Sequence, residues 1–206
     1  MIDEIVLRVA LTAAYAVACG FHLVRLWRDG GLVERVGSVL HALMCGAMIL
    51  MAWPATMAFA PVPQTALFAV AALWFAALAA IGGRACAGHG RVELVHHAVM
   101  MAGMAWMVVV MPLAMREPPS GGGGGGAHDH HGGAATTAVD AGAGVPAHVS
   151  AVGLALAVVF AIAGTAWLAR ALDAGRAPGA RRRRAVAPAV ESAMSLGMAV
   201  MAVAMA

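Results

Sequence analysis

Six apolar stretches, each about as long as a helix needs to cross a bilayer, constrain this chain more than any other feature. They fall near residues 4–24, 35–54, 65–82, 93–115, 148–171 and 186–206. Inside hydrocarbon every backbone N–H and C=O must be satisfied within its own segment, so stretches of this kind form helices that gather into a bundle. Composition agrees. The 206 residues are 62% hydrophobic and 11% charged, with a mean hydropathy of +0.84, whereas a soluble domain carries roughly 25% charged residues. The expected fold class is all-α: a polytopic membrane helical bundle of six transmembrane helices.

The charges that remain sit between the apolar stretches and set an orientation. Arg25, Arg28 and Arg35 lie between the first two spans, and Arg84 and Arg91 between the third and fourth. Arg176 and the run Arg181–Arg184 lie between the last two, with Arg170 just before. The other side carries little: residues 55–64 are uncharged, and residues 116–147 hold Arg116 among Glu117, Asp129 and Asp140. Cytoplasmic loops concentrate arginine and lysine, so both termini are expected outside the cytoplasm, in a bacterial inner membrane. The net charge of +3 and pI near 9.2 therefore reflect topology and contact with lipid headgroups, and do not point to nucleic acid. The start, Met1-Ile2-Asp3-Glu4, is acidic where a cleavable signal is basic, so the first span is expected to remain as a helix.

Between the fourth and fifth spans the composition changes. Residues 117–147 begin with Pro118-Pro119, continue through six glycines at Gly121–Gly126, and carry Ala127-His128-Asp129-His130-His131. Such a segment has almost no large apolar side chains with which to build a core, so it reads as a disordered, Gly/His-rich extracytoplasmic loop. It divides a four-helix portion, 1–116, from a C-terminal hairpin of the same bundle, 148–206.

Three of the spans share one spaced pattern: His41-x2-Met44-x3-Met48-x2-Met51, His97-x2-Met100-x3-Met104-x2-Met107 and Glu191-x2-Met194-x3-Met198-x2-Met201. At about 100° per helical residue, these positions fall within an arc of roughly 80°, so each helix carries one stripe of three thioethers headed by a metal-capable or ionisable group. Alternation of spans makes the three helices parallel, with His41, His97 and Glu191 at similar depth near the cytoplasmic end. Thioether sulfur is a soft ligand that suits Cu(I). The same spacing is also the seam of any packed helix pair, and methionine fills gaps readily. Small residues recur beside it, at Ala42, Ala98 and Ser192 and at Ala47, Gly103 and Gly197, as close helix approach in membranes requires. The heads of the stripes are less easily read as filler, because ionisable groups within a span are costly and face the bundle interior or a cavity.

Other metal-capable groups accompany them. Cys19-x2-His22 closes the first span and Cys86-x2-His89 follows the third, each pair lying on one helical face. With His41, Cys45, His96 and His97 nearby in sequence, they offer a thiolate and imidazole set suited to copper or zinc. His128, His130 and His131 would collect Cu²⁺ or Zn²⁺ in a weak, fast-exchanging outer site. Trp27, Trp53, Trp74, Trp106 and Trp167 read as interface or packing residues. Pro54 and Pro112 read as ends or kinks of their spans, and Pro188 as a first-turn proline. No nucleophile elbow, phosphate-binding loop, dinucleotide fingerprint or His-Glu-x2-His motif is present, so the chain is not expected to be an enzyme.

His41–Pro54, His97–Pro112 and Glu191–Met201, with the Gly/His-rich loop before the last hairpin, resemble an actinobacterial integral membrane family catalogued as domain of unknown function 5134. The resemblance covers most of the chain. It implies a bacterial inner-membrane protein and supplies no activity.

Three functions compete on these residues. The leading one is handling of a soft metal ion, above all copper, by binding, sensing or transport through the stripes and an intramembrane cluster of His41, His97 and Glu191, with Cys19 and His22 nearby. The second is electron transfer through haem b held by two histidines. The third is a non-catalytic bundle that supports a membrane-protein partner or a homo-oligomer.

Overall fold

The computed structural model describes residues 5–28, 31–53, 61–81, 90–114, 146–176 and 183–205. Six helices run through them: α1 (Ile5–Arg28), α2 (Leu32–Ala52), α3 (Pro61–Ile81), α4 (Arg91–Ala114), α5 (Ala147–Arg176) and α6 (Arg183–Ala204). All six are long and apolar enough to span a membrane, and no strand occurs among the described residues. The fold class expected from the sequence is the one observed.

Several ends differ from the apolar limits. α1 continues through Arg25 and Arg28, and α5 through Arg176. Basic residues suit the negative end of the helix dipole, and their long stems keep the guanidinium groups at the interface, so the helices outlast their apolar stretches. α3 begins at Pro61, whose missing N–H costs nothing in the first turn. α6 begins ahead of Pro188, which therefore lies inside the helix rather than at its start, and Pro112 lies inside α4 two residues before its end. α2 and α4 each start with a glutamate reaching back: Gly31 N–H donates to Glu34 Oε2 at 3.0 Å and Gly90 N–H to Glu93 Oε2 at 3.2 Å, satisfying one N-terminal donor in each helix.

The helices pair as three hairpins, α1–α2, α3–α4 and α5–α6, whose backbones approach closely. The second helix of each hairpin faces the centre, and the first lies outside it. Each outer helix also reaches the inner helix of the preceding hairpin, α1 and α5 by close packing and α3 across a cleft. Tyr15 of α1 packs on Gly197 of α6. Phe160 of α5 packs on Gly103 of α4, where an added Cβ would lie 2.9 Å from its Cε2 atom. Phe68 of α3 and Ala47 of α2 line one cleft. One heptad along each outer helix from these rings stand His22, Phe75 and Trp167, and all six of these side chains are buried. The hairpins thus repeat around a central pseudo-threefold axis, with α2, α4 and α6 innermost. Those three backbones approach one another far less closely than hairpin partners do; the space between them is filled by methionine.

Candidate metal centre

All nine stripe methionines are buried in one continuous core, which also takes in Met101 and Met111. A helical position every three or four residues faces the same way, so the axis sees thioethers from all three inner helices. In lipid this arrangement gains little from hydrophobicity, since acyl chains are as apolar as the core. Shape and side-chain chemistry must account for the choice of methionine.

At the arginine-rich end the stripes meet in polar groups. His41 Nε2 lies 2.9 Å from His97 Nδ1, and the ring centroids are 4.4 Å apart. His41 Nδ1 donates to the Gly37 carbonyl at 2.7 Å. A carbonyl can only accept, so in a neutral His41 ring Nε2 carries the lone pair and accepts from His97 Nδ1–H. A ring held through one nitrogen by a backbone carbonyl, with the other directed at a shared centre, is the second-shell arrangement typical of metal-ligating histidine. Glu191 Oε2 stands 3.9 Å from His97 Nδ1 and 3.9 Å from His96 Nε2. The donor atoms of His41, His97 and Glu191 all lie within 4.8 Å of one another.

His22 joins them from α1. Its ring stacks on His41 with centroids 4.9 Å apart and 22° between planes, and neither of its buried nitrogens has a hydrogen-bond partner. His22, His41, His97 and Glu191 line a cavity of about 20 Å³, enough for one water or one ion. Cys19, one turn away, donates its thiol to the Ala42 carbonyl at 3.8 Å, and Cys45 is buried in the core. A cleft of about 460 Å³, lined by Arg25, Arg91, Arg170, Trp167, His97 and Glu191, opens onto the cluster from the arginine-rich end. His128, His130 and His131, and the Cys86-x2-His89 pair, lie outside the described residues.

Two more polar groups adjoin the centre: His96, named from the sequence among the nearby imidazoles, and Ser195, which the sequence did not single out. His96 contacts Ser195 (Oγ to Nε2, 3.2 Å), and Ser195 Oγ also approaches Met100 Sδ at 3.9 Å. Trp167 packs on His96 with centroids 5.5 Å apart and carries Arg170 over its own ring at 4.5 Å. One signal was available for Ser195: it shares an offset from its stripe head with Cys45 and Met101, so three soft or polar groups recur at one depth.

The family model described as Domain of unknown function (DUF5134) matches residues 33–205. The chain belongs to this family. The match spans the inner helices and every described member of the centre except Cys19 and His22. The uncharacterized proteins Rv0970 of Mycobacterium tuberculosis and Mb0995 of Mycobacterium bovis are each 32% identical to it over 114 residues, covering 54% of this chain and 52% of theirs. The chain thus spans about half the length of the curated relatives it matches. No solved structure matches it.

Proposed function

We propose that this DUF5134 protein handles a soft metal ion, most naturally copper, by binding, sensing or transport rather than by catalysis. The observation that carries the reading is the convergence of His41, His97 and Glu191 from three helices onto donor atoms within 4.8 Å of one another. Intramembrane ionisable groups are expensive unless they serve a site, and here three meet. Imidazole suits copper, and the adjoining thioethers favour its reduced form. Glu191 offsets the ion's charge. Ligation through His97 Nδ1 would require its proton to move to Nε2, so the neutral ring changes tautomer without releasing a proton. The direct contact of the two histidine rings favours an ion over a haem macrocycle between them.

In this reading the arginine-rich end faces the cytoplasm, both termini lie outside, and the protein sits in the bacterial cell membrane. The cleft under Arg25, Arg91 and Arg170 is the inner approach to the centre, and His128, His130 and His131 gather metal on the far side. The test is the metal content and absorption spectrum of the purified full chain after growth with copper and a Cu(I) challenge, beside the double variant His41→Ala, His97→Ala. Copper retained by the parent, with the nitrogen- and carboxylate-bound share of it lost in the variant and no Soret band in either, is the expected result. Copper-free parent protein would sink the reading.

A further inference from the structure

The inner helices lie in register. His41 meets His97 at 2.9 Å, and Glu191 stands 3.9 Å from the same ring. Farther along, Ser195 Oγ approaches Met100 Sδ at 3.9 Å, and a Cβ on Gly103 would lie 3.6 Å from Met198 Cε. Equal offsets from the three heads therefore mark equal depths. At about 1.5 Å per residue, Met44, Met100 and Met194 form a layer roughly 4.5 Å beyond the His/Glu centre, and Met48, Met104 and Met198 a second roughly 10.5 Å beyond it. At about 100° per residue, these two offsets lie some 20° either side of the stripe's midline, while the heads and the outermost methionines lie some 40° off it. The six methionines of the two layers are also without exposed surface, whereas Met51 and Met201 in the third layer retain some.

We infer that the two layers are stacked three-thioether sites for Cu(I) on the pseudo-threefold axis: Met44, Met100 and Met194 in one, Met48, Met104 and Met198 in the other. The inference rests on the metal-handling reading above and deepens it by assigning oxidation state and coordination. Thioethers are neutral, soft and unable to ionise, so a ring of them accommodates a monovalent d¹⁰ ion while offering a divalent one no charge compensation. The nitrogen- and carboxylate-bearing centre has the opposite character. The chain thus offers two chemistries in series: a borderline site at the arginine-rich end and soft trigonal sites deeper in the bundle. Tyr15 and Phe160, wedged against Gly197 and Gly103, wall the region off from lipid.

The test is X-ray absorption and Cu(I)-chelator competition on the purified full chain, loaded with Cu(I) under reductant. Four proteins are compared: the parent, the triple variant Met44→Leu, Met100→Leu, Met194→Leu, the triple variant Met48→Leu, Met104→Leu, Met198→Leu, and the double variant His41→Ala, His97→Ala. Methionine to leucine nearly conserves volume, a change cores tolerate. Sulfur scattering is expected in the parent and in the histidine variant, with each methionine triple losing about one ion per chain. A second measurement on the parent alone keeps the idea testable should a triple fail to fold: Ag(I) should displace the sulfur-bound copper, whereas Zn²⁺ should not. Copper bound through nitrogen and oxygen only, or triples that hold as much Cu(I) as the parent, would overturn the triads and leave the His/Glu centre standing. A parent that takes up no copper at all would overturn both.

Discussion

The inner helices α2, α4 and α6 and the outer helices α1, α3 and α5 are alike in length and apolarity, yet the bundle uses them oppositely. About half of each inner span is buried, at 50%, 56% and 50%, against 22%, 22% and 28% for the outer spans. The inner helices carry the long flexible thioethers and the ionisable groups toward the axis. The outer helices send inward a heptad pair of rings and present branched aliphatics such as Val17, Leu73 and Val158 outward, where they remain exposed within the bundle. The difference teaches that in lipid, hydrophobicity does not sort helices into inside and outside. What sorts them is which side chains can share an axis: thioethers and imidazoles that interdigitate, with glycine or alanine beside them to admit a neighbour's ring.

The contrast should fail first where a ring meets a glycine. At Gly103 an added Cβ would lie 2.9 Å from Phe160 Cε2, and at Gly197 it would collide with the Tyr15 hydroxyl. Replacing either with leucine overfills a packed seam and should cost about 3 kcal/mol, read as a large fall in the thermal midpoint in detergent or as loss of the folded fraction. Leucine at Gly20, which has open space around its Cβ position, should be tolerated. Equal effects at Gly20 and Gly103 would contradict the division into wedged and open faces.

Metal removal tests the same axis from the other direction. An ion that binds only the folded state stabilises it by about 2.7 kcal/mol at a free concentration one hundred times its dissociation constant. Chelation should therefore lower the thermal midpoint of copper-loaded parent protein, and should lower that of the double variant His41→Ala, His97→Ala by less, because the variant lacks the His/Glu-bound ion. A midpoint that shifts equally in both would place the stabilising ion elsewhere.

Much of this contrast was legible before any coordinates. Six spans, the threefold recurrence of His41, His97 and Glu191, and the shared depth of their methionines all follow from spacing and from alternation of helices. Span limits were less legible, because arginines at the ends of α1 and α5 extend helices past their apolar stretches, and hydropathy cannot see that. The hairpin repeat was hidden for a different reason. The outer helices share only two inward rings each, Tyr15 and His22, Phe68 and Phe75, Phe160 and Trp167, whose residue types differ while their function as wedges does not. His22 gave its position but not its partner: stacking on His41 across a hairpin depends on the crossing of α1 and α2. His96 and Ser195 pair across α4 and α6, a contact between distant segments that no local spacing encodes.

Within the α5–α6 hairpin, Ser192 Oγ donates to the Gly164 carbonyl at 2.8 Å, at a point where an added Cβ on Gly164 would lie 3.2 Å from the Leu196 backbone nitrogen. Hydrogen bonds between membrane helices average about 0.6 kcal/mol, because the unfolded segments also find partners in lipid. Ser192→Ala should therefore destabilise modestly, by about that amount, in steric-trap or denaturant unfolding. It should leave copper content unchanged, since the hydroxyl faces α5 and not the axis. A loss of metal in this variant would mean that the hairpin seam and the axis are coupled, and that outer helices do more than wall the centre.

The smallest effects belong to the lipid-facing surface. Leu73 and Val158 are exposed by 70% and 58%, and both point away from the inner helices. Truncating either to alanine exchanges contacts with acyl chains for contacts with other acyl chains, so no transfer free energy is lost and no cavity is left behind. Changes within about 0.5 kcal/mol are expected, against the several-fold larger cost of Phe160→Ala, whose ring fills the α4–α5 seam and leaves a void that lipid cannot enter. Unfolding of the three single variants in one detergent decides the matter. Comparable losses from Leu73 and Phe160 would mean that Leu73 has a protein neighbour in the membrane, and that the outer face of α3 is itself an interface.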